Sequence, residues 1–446
     1  MCYTRFLFFV LLNLSAQFSL ITSAIAAENT RLSDTSLASV SLTNISLNEA
    51  TALALQANPD IAVAFSGREV ESGQLLQAGA RPNPTLSGQI QDLRSQNRIT
   101  SIIISQQLET AGKRDKRMAA ADATIAIADA DIRIAQAETS AKVYAAFHQV
   151  LAAQQAQTLA TELLQIATKS KDTTAKRVLA GKLSPVEETK AKIVEASLKV
   201  DLLNANQQLL ATKRHLISLW GKGLASADAL TFTAIGDLDK LNTMPVLSAL
   251  VTELPNSPRF VKAGLLVNQK QALSAIEKSR QTPDVTVSLG AQRNQELDGL
   301  TQAIIGLSIP IPLFDKNQGN FQSAKGREVQ SQFEKTALEN QLQTELAIAY
   351  ARWQLQIETV ATYSRDILPS AQSAYDAARK GFEFGKFSFL EVLDAQRTLF
   401  QTKTQFIQTQ ALVHQAEADI QSILGVTSTY QPLANDVNKR NFNEIK

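Results

Sequence analysis

Cysteine and histidine are scarce in this chain of 446 residues. The one cysteine, Cys2, precedes an apolar N-terminal run, so a processed chain would have no disulfide and no thiol chemistry. The three histidines, His148, His215 and His414, are isolated and form no H-E-x-x-H or other paired spacing. We expect each histidine to lie on a helix surface or at an interface. The sequence therefore predicts no enzymatic activity, no cofactor and no bound metal.

Glycine, proline and net charge are also low. The chain has 18 glycines and 12 prolines, and long stretches rich in Ala, Gln, Leu, Glu and Lys contain neither. Such a composition predicts long helices. Because 44 lysine and arginine residues nearly balance 42 aspartate and glutamate residues, the chain is not a general binder of polyanions. We therefore predict no nucleic-acid partner.

The first 26 residues have the pattern of a secretory signal peptide. Arg5 supplies the positive charge, residues 6–14 are apolar, and A-I-A at 24–26 fits a cleavage site. The apolar run is too short to be a membrane anchor. We predict that residues 1–26 are removed on export and that the mature chain begins at Ala27.

One unusual turn occurs twice, as G-K-L-S-P-V-E at 181–187 and G-K-F-S-F-L-E at 385–391. In each copy the glycine can end a helix, the serine can cap the next helix, and the glutamate can complete a capping box. Similar offsets elsewhere in the chain indicate a duplication. The predicted divisions are a first repeat at 27–221, a connector at 222–246, a second repeat at 247–425 and a C-terminal tail at 426–446.

Long helices precede both turns. Residues 113–180 contain neither proline nor glycine, and Ile or Ala recurs there at intervals of seven, which predicts one coiled-coil helix of roughly 100 Å. Residues 318–380 predict another long helix in the second repeat. A shorter helix returns from each turn, so each repeat contains an antiparallel helical hairpin.

Each repeat also contains two predicted strands, at about 85–91 and 99–108 and at about 284–292 and 302–311. Their lengths suit a membrane-spanning β-strand. Four strands cannot close a barrel, and open edges cannot face lipid, so two or three chains would have to share one barrel. The alternative is an antiparallel sheet in a soluble exported protein. In a barrel, the second pair would turn these side chains toward lipid: Val285, Val287, Leu289, Ile305, Leu307 and Ile309.

The chain resembles the TolC-like outer-membrane efflux proteins over essentially all of its mature length. The resemblance is carried by the duplicated plan, the G-x-x-S-x-x-E turn and the run E-V-L-D-A at 391–395. Two further runs, Q-Q-L-E-T-A-G-K-R at 106–114 and P-L-F-D-K-N-Q-G-N at 312–320, resemble the heavy-metal cation (CzcC-type) branch. Thr110 and Ala111 depart from that branch, in which a small apolar residue followed by glycine is commoner.

The resemblance implies a mixed α/β membrane protein that is mainly α. Three identical chains would form a 12-stranded barrel in outer-membrane lipid, continued across the periplasm by an α-barrel of coiled-coil helices. It implies a periplasmic adaptor and a proton-driven inner-membrane pump of the RND type as partners. The expected function is a passive exit duct for heavy-metal cations. The alternatives are a duct for organic compounds and drugs or, in another class, a soluble periplasmic scaffold or adaptor.

The resemblance also indicates candidate functional residues near the turns. Glu391 and Asp394 lie three positions apart on one helical face, and in a trimer they would form two rings of carboxylates that attract cations at the entrance. Glu391 also fits the capping box, as Glu187 does in the first repeat, whereas Asp394 has no capping role. The residues expected to contact the adaptor at the tip are Gly181, Leu183, Ser184, Gly385, Phe387 and Ser388.

Overall fold

A computed structural model describes residues 44–92, 94, 96–221, 231–427 and 431–432. The predicted signal peptide, the cleavage site, the start of the connector and most of the tail lie outside these described residues. The chain is mainly helical, with a few short strands. The range predicted as the first repeat, 27–221, contains β1 (Asn44–Ser46), α1 (Leu47–Ala57), α2 (Pro59–Gly79), β2 (Thr85–Gln91), β3 (Ile99–Leu108), α3 (Lys113–Leu179) and α4 (Pro185–Ser218).

The range predicted as the second repeat, 247–425, follows β4 (Thr233–Ile235), which pairs in parallel with β1. Its elements are α5 (Leu247–Glu253), α6 (Pro258–Arg280), β5 (Val285–Asn294), β6 (Leu300–Ser308), α7 (Gln318–Thr362), α8 (Leu368–Glu383) and α9 (Phe389–Leu424). Strand β6 ends three residues earlier than predicted, so Ile309 and Ile311 lie beyond it. Pro310 and Pro312 have no backbone N–H to donate to a neighbouring strand, which explains the early end.

Local signals set the helix boundaries. The side chain of Ser46 caps α1 and forms a capping box with Glu49. Asn58 ends α1 and its side chain accepts a hydrogen bond from the N–H of Asp60, with Pro59 in the first turn of α2. Such a cap typically stabilises a helix by about 1 kcal/mol. Asn58 is therefore both the C-cap of α1 and the N-cap of α2, at the point where one helix ends and the next begins.

The helix predicted over 318–380 is not continuous. A π-helical turn, Tyr363–Ile367, separates α7 from α8. Pro369, in the first turn of α8, cannot donate to the carbonyl of Arg365, and its ring would clash with that carbonyl in a regular α-helix. A wider π turn just before the proline accommodates this conflict.

Strands β2, β3, β5 and β6 form one antiparallel sheet in that order. Strand β3 joins the two repeats, because it pairs with β5 over ten residues from Ile99–Asn294 to Leu108–Val285. Strands β2 and β6 form the two edges, and neither has a second partner among the described residues. The sheet is therefore open on both sides.

The helices pack side by side in a row, as the strands do in the sheet. Helix α3, 67 residues long, is contacted by α2 and α6 over one part of its length and by α4 and α9 over the rest. Helix α7 contacts α6 and α9 and lies at one edge of the row. Small buried side chains, including Ala146, Ala153 and Ala160, line the seam of α3 and let the helices approach closely. Leu342, Leu346, Val413 and Ile420 lie in the main core cluster between α7 and α9.

Candidate functional site

The four-stranded sheet has one exposed apolar face. The strand register aligns Leu86, Ile104, Leu289 and Ile305 in one row across all four strands. The side chain of Ile305 is 79% exposed, and the others in this row are at least 48% exposed. Water contact at such a continuous patch is costly, at roughly 25 cal/mol per Å², so a soluble protein rarely exposes one.

The side chains predicted to face outward are distributed accordingly. Val287, Leu289, Ile305 and Leu307 are exposed on the apolar face, whereas Ile309 lies past the end of β6. Val285 is half-buried at the start of β5.

The opposite face of the sheet carries mostly hydroxyl and amide groups. One row across it contains Thr85, Ser105, Ser288 and Gly306, and a second contains Gln89, Ser101, Gln292 and Gln302. The hydroxyl oxygens of Ser105 and Ser288 are 2.9 Å apart and hydrogen-bond across the boundary between the repeats. Ile103 and Ile304 interrupt the polar face in an intermediate row. Successive side chains along each strand point to opposite faces of the sheet. Because apolar and polar residues alternate, one face is apolar and the other is mostly polar.

The run 106–114 fastens the sheet to α3. Asp284, just before β5, accepts hydrogen bonds from the Lys113 ammonium group at 2.6 Å, the N–H of Thr110 at 2.9 Å and the Gln107 amide at 2.9 Å. Ala111 and Gly112 have φ angles of 54° and 65°, in the left-handed region. These two residues reverse the chain, so the residues of the branch motif form a strand-to-helix junction.

The two helical hairpins turn in the same way. Gly181 and Gly385 both have φ of 69°, which favours glycine. Each turn has the six-to-one hydrogen bond of a Schellman motif: Lys182 N–H donates to the Arg177 carbonyl at 2.9 Å, and Lys386 N–H donates to the Gly381 carbonyl at 2.8 Å. The predicted tight turns are therefore present in both copies.

The helix starts after the two turns differ. Ser388 and Glu391 form the predicted capping box, with the N–H of Ser388 2.6 Å from Glu391 Oε2. Ser184 instead accepts from the N–H of Val186 at 3.4 Å. Glu187 does not complete a box, so the sequence prediction for it was wrong. Its carboxylate pairs with Lys190 at 3.0 Å, one turn farther along α4.

Aromatic side chains distinguish the tip of the second hairpin, around 385–388, from the tip of the first, around 181–184. The ring of Phe387 packs on Gly381, and Phe384 is 78% exposed. The guanidinium of Arg177 lies 4.8 Å from the ring centre of Phe382, which links the two hairpins. Leu183, at the first tip, is partly covered. The sequence analysis did not identify Phe384, although an apolar residue directly before a turn glycine is a usable signal.

Asp394 is exposed on α9, one turn after Glu391. It makes no hydrogen bond or ion pair with any residue that the structure describes. It borders a groove of about 1100 Å³ between α4 and α9, whose floor is formed by small residues of α3 such as Ala153. Asn204 and Asp201 line the opposite wall. The carboxylate of Asp394 is therefore available to a solute or to another chain.

Two of the three histidines lie in contact in the folded chain. His148 of α3 and His414 of α9 stack with ring centres 3.8 Å apart, and both are buried. His148 and His414 lie at an interface between helices inside the chain, and His215 lies on a helix surface, so each fits one of the two expected positions. Burial lowers the pKa of His414, and burial together with the nearby His414 lowers the pKa of His148 to about 3. His215 is exposed at the end of α4.

The described residues contain neither a membrane-spanning helix nor a cluster of metal-ligating side chains. No helix within 44–92, 96–221 or 231–427 is long and apolar enough to cross a membrane. In the same residues, no group of three or more His, Cys, Asp or Glu side chains is arranged to hold a metal ion.

Comparison with known proteins identifies the family. The family described as outer membrane efflux protein matches residues 51–222 and 249–426. The chain belongs to this family. It is 36% identical to the cobalt-zinc-cadmium resistance protein CzcC of Cupriavidus metallidurans, over 85% of this chain and 90% of that protein. The resemblance inferred from the motifs is confirmed, and the outer membrane is where proteins of this family act.

Solved structures share the fold at lower identity. A crystal structure of CusC superposes with a TM-score of 0.70 at 20% identity, covering 85% of this chain and 91% of that one. The outer membrane protein VceC of Vibrio cholerae gives the same TM-score and identity, covering 85% of this chain and 96% of that one. At this level of identity the likeness shows the fold alone.

Proposed function

We propose that three copies of the chain form the outer-membrane duct of a tripartite efflux system, through which heavy-metal cations leave the cell. The observation that carries the proposal is the open sheet, apolar on one face and polar on the other. Twelve strands from three copies would pair every free edge. The apolar row through Ile305 would then contact lipid, and the row through Ser105 and Ser288 would face water.

Exposed apolar side chains on the edge helices support the same assembly. On α4, Val186, Ile193 and Val200 recur every seven residues and are all more than half exposed. On α7, Phe333 and Leu355 are similarly exposed at the other end of the row. A heptad stripe of this kind needs a facing helix. The neighbouring copy would supply it, and the helices would close into an α-barrel.

The two helical hairpins would form the periplasmic end of this barrel. Residues 27–221 and 247–425 would be two copies of one unit, joined by the connector 222–246, because both contain the same Schellman turn and a matched family segment. A periplasmic adaptor would bind the tips, where Phe384 and Phe387 expose apolar surface. A proton-driven inner-membrane pump of the RND type would supply energy, since the duct itself only conducts.

Asp394 would narrow and charge the entrance. Three copies would bring three unpaired carboxylates into one ring, whereas Glu391 is already engaged as a cap. We expect Asp394→Ala to raise the single-channel conductance in planar bilayers and to reduce cation selectivity. Glu345→Ala, which removes a carboxylate bonded to Arg259 away from the tip, is the control. Unchanged conductance and selectivity in Asp394→Ala would remove this residue from the entrance.

The cargo is proposed from the relatives. CzcC is named for resistance to cobalt, zinc and cadmium, and this chain spans 90% of that protein. We expect deletion of the gene to sensitise cells to divalent metal ions more than to hydrophobic drugs, measured as growth inhibition. Complementation with the intact gene should restore metal resistance. Greater sensitivity to hydrophobic drugs would favour a duct for organic compounds instead.

A further inference from the structure

His414, Tyr144 and Glu417 form a buried chain of hydrogen bonds between the two repeats. His414 is 1% exposed and Glu417 is 2% exposed. The Nδ1 atom of His414 lies 3.1 Å from the Tyr144 hydroxyl, which lies 2.7 Å from Oε2 of Glu417. The Nε2 atom of His414 lies 3.1 Å from the carbonyl oxygen of Leu238, in the segment between β4 and α5. The chain thus connects α3, α9 and this segment.

The contacts of this network require one additional hydrogen. The Leu238 carbonyl can only accept, so Nε2 of His414 must carry a hydrogen. The Tyr144 hydroxyl has one hydrogen to donate but two acceptors beside it. If it donates to Nδ1 of His414, Oε2 of Glu417 needs its own hydrogen. If it donates to Glu417, Nδ1 needs one. A neutral His414, a phenolic Tyr144 and an ionised Glu417 do not have enough hydrogens for these contacts. Both arrangements need one more proton.

The remaining carboxyl oxygen cannot hold that proton. Oε1 of Glu417 accepts from the Asn242 side-chain amide at 2.6 Å and from the Gln421 amide at 3.2 Å. Two donors already occupy Oε1, so the proton must lie on the side that faces Tyr144. With it the network has no net charge, and without it a buried negative charge would remain, which the interior of the chain strongly disfavours.

The other titratable groups around the network do not replace this proton. His148 stacks on His414, and its Nδ1 is bonded to the Tyr144 carbonyl at 2.8 Å. Burial raises the pKa of Tyr144, so the phenol keeps its hydrogen. Asp237 and Asp239, in the segment after β4, face His414 and Gln410 respectively. The carboxylate of the adjacent helix α1, Glu49, is bound at Ser46.

We propose that one retained proton, shared by His414, Tyr144 and Glu417, fastens the segment around Leu238 and Asn242 to α3 and α9, and that its loss in alkaline medium releases this segment. The positions equivalent to His414 and Glu417 in the first repeat are Leu210 and Lys213. The duplication therefore did not carry the network with it. We define the three side chains as the proton lock. It makes the junction of the repeats sensitive to the pH of the surrounding medium.

The direction of the pH effect follows from proton counting. Above about pH 6.5 a released histidine and a released glutamate hold no proton. The closed lock holds one, so opening releases a proton. The opening equilibrium constant should therefore rise about tenfold for each unit of pH above this value.

Glu417→Gln separates this proposal from an ordinary buried carboxylate. A carboxamide can donate to Tyr144 through its nitrogen and accept from Asn242 through its oxygen, so it closes the network with no proton to lose. The measurement is hydrogen exchange of backbone amides 238–242 in the full, detergent-solubilised assembly, corrected for intrinsic exchange, from about pH 7 to pH 9. The wild type should show the tenfold dependence, and Glu417→Gln should show none.

Controls make each outcome decisive. Glu345→Gln, at a half-buried carboxylate bonded to Arg259, should keep the wild-type dependence. Tyr144→Phe breaks the bridge between His414 and Glu417, so the opening equilibrium constant should be raised near pH 7. Parallel opening constants in the wild type and Glu417→Gln would overturn the proposal, as would an unchanged opening constant near pH 7 in Tyr144→Phe. Neither result depends on transport.

Discussion

Ala111 has a backbone conformation that favours glycine. The related branch more often has glycine here, and the φ angle of 54° explains why, since an L-residue in this conformation costs roughly 1–2 kcal/mol. Asn317, the N-cap of α7, has φ of 56° and matches Gly112, the N-cap of α3, rather than Ala111; asparagine tolerates this conformation. The departure at Ala111 is therefore a local strain within an unchanged fold.

The buried histidines could not have been paired from the sequence. His148 and His414 lie in different repeats, on helices whose local patterns are those of ordinary coiled coils. No spacing rule connects them, and Tyr144 and Glu417 are equally unremarkable in their own helices. Only the packing of α3 against α9 brings them together. By contrast, Gly181, Gly385 and the Ser388 cap were predicted, because each depends on residues within one turn.

At the residue scale, His148 should make the fold sensitive to acid. The unfolded chain protonates this residue near pH 6.5, whereas in the fold its pKa is about 3. The unfolded state therefore binds more protons, and the free energy of unfolding falls as pH drops from 6.5 toward 3, by at most about 1.4 kcal/mol per unit. We expect His148→Gln to reduce this slope in denaturant titrations.

The exposed His215 supplies the matched control for that experiment. His215→Gln should leave the acid dependence of the wild type in place. Equal slopes in His148→Gln and the wild type would mean that His148 is protonated, or solvated, within the fold.

At the scale of elements, predictions succeeded where the signal is local and failed where a proline acts at a distance of several residues. The ranges of β2 and β3 match those predicted, and α3 runs unbroken through 67 residues. Pro369 was overlooked because the residues around it are good helix formers, and a π turn absorbs its effect. Pro310 ends β6 early for the same reason, the missing N–H.

The second hairpin tip offers an element-scale prediction. A Cβ atom on Gly381 would clash with Cδ2 of Phe387, so Gly381→Ala must displace the ring. Overpacking of this kind costs about 1–3 kcal/mol. We expect faster hydrogen exchange in residues 382–388 and weaker binding of the adaptor at this tip.

Gly326 of α7 is the control, because a Cβ there meets no atom within 4 Å. Gly326→Ala should leave exchange at the tip unchanged and stabilise α7 by up to about 1 kcal/mol. If exchange in residues 382–388 is the same in Gly381→Ala and the wild type, Phe387 does not depend on this contact.

At the scale of the whole molecule, one chain is an incomplete object. Within the part of the chain that the structure describes, its four-stranded sheet has two free edges, and its helices expose apolar stripes on α4 and α7. The sequence led to a shared barrel by the same reasoning, since four strands cannot close on themselves. The number of copies could not be derived from strand count alone, because eight or twelve strands would both close. That number came from the family resemblance.

The central claim is that the apolar sheet face forms the outside of a barrel shared by three chains. The most direct measurement is the native mass of detergent-extracted protein, together with cell fractionation, for the wild type and two neighbouring substitutions. Ile305→Arg places a charge on the apolar face, at a cost of about 2–4 kcal/mol per chain near the bilayer centre, and Ile304→Arg places it on the polar face. We predict trimers in the outer membrane for the wild type and Ile304→Arg, and loss of trimers for Ile305→Arg. A monomer in the soluble periplasmic fraction for the wild type would contradict the account.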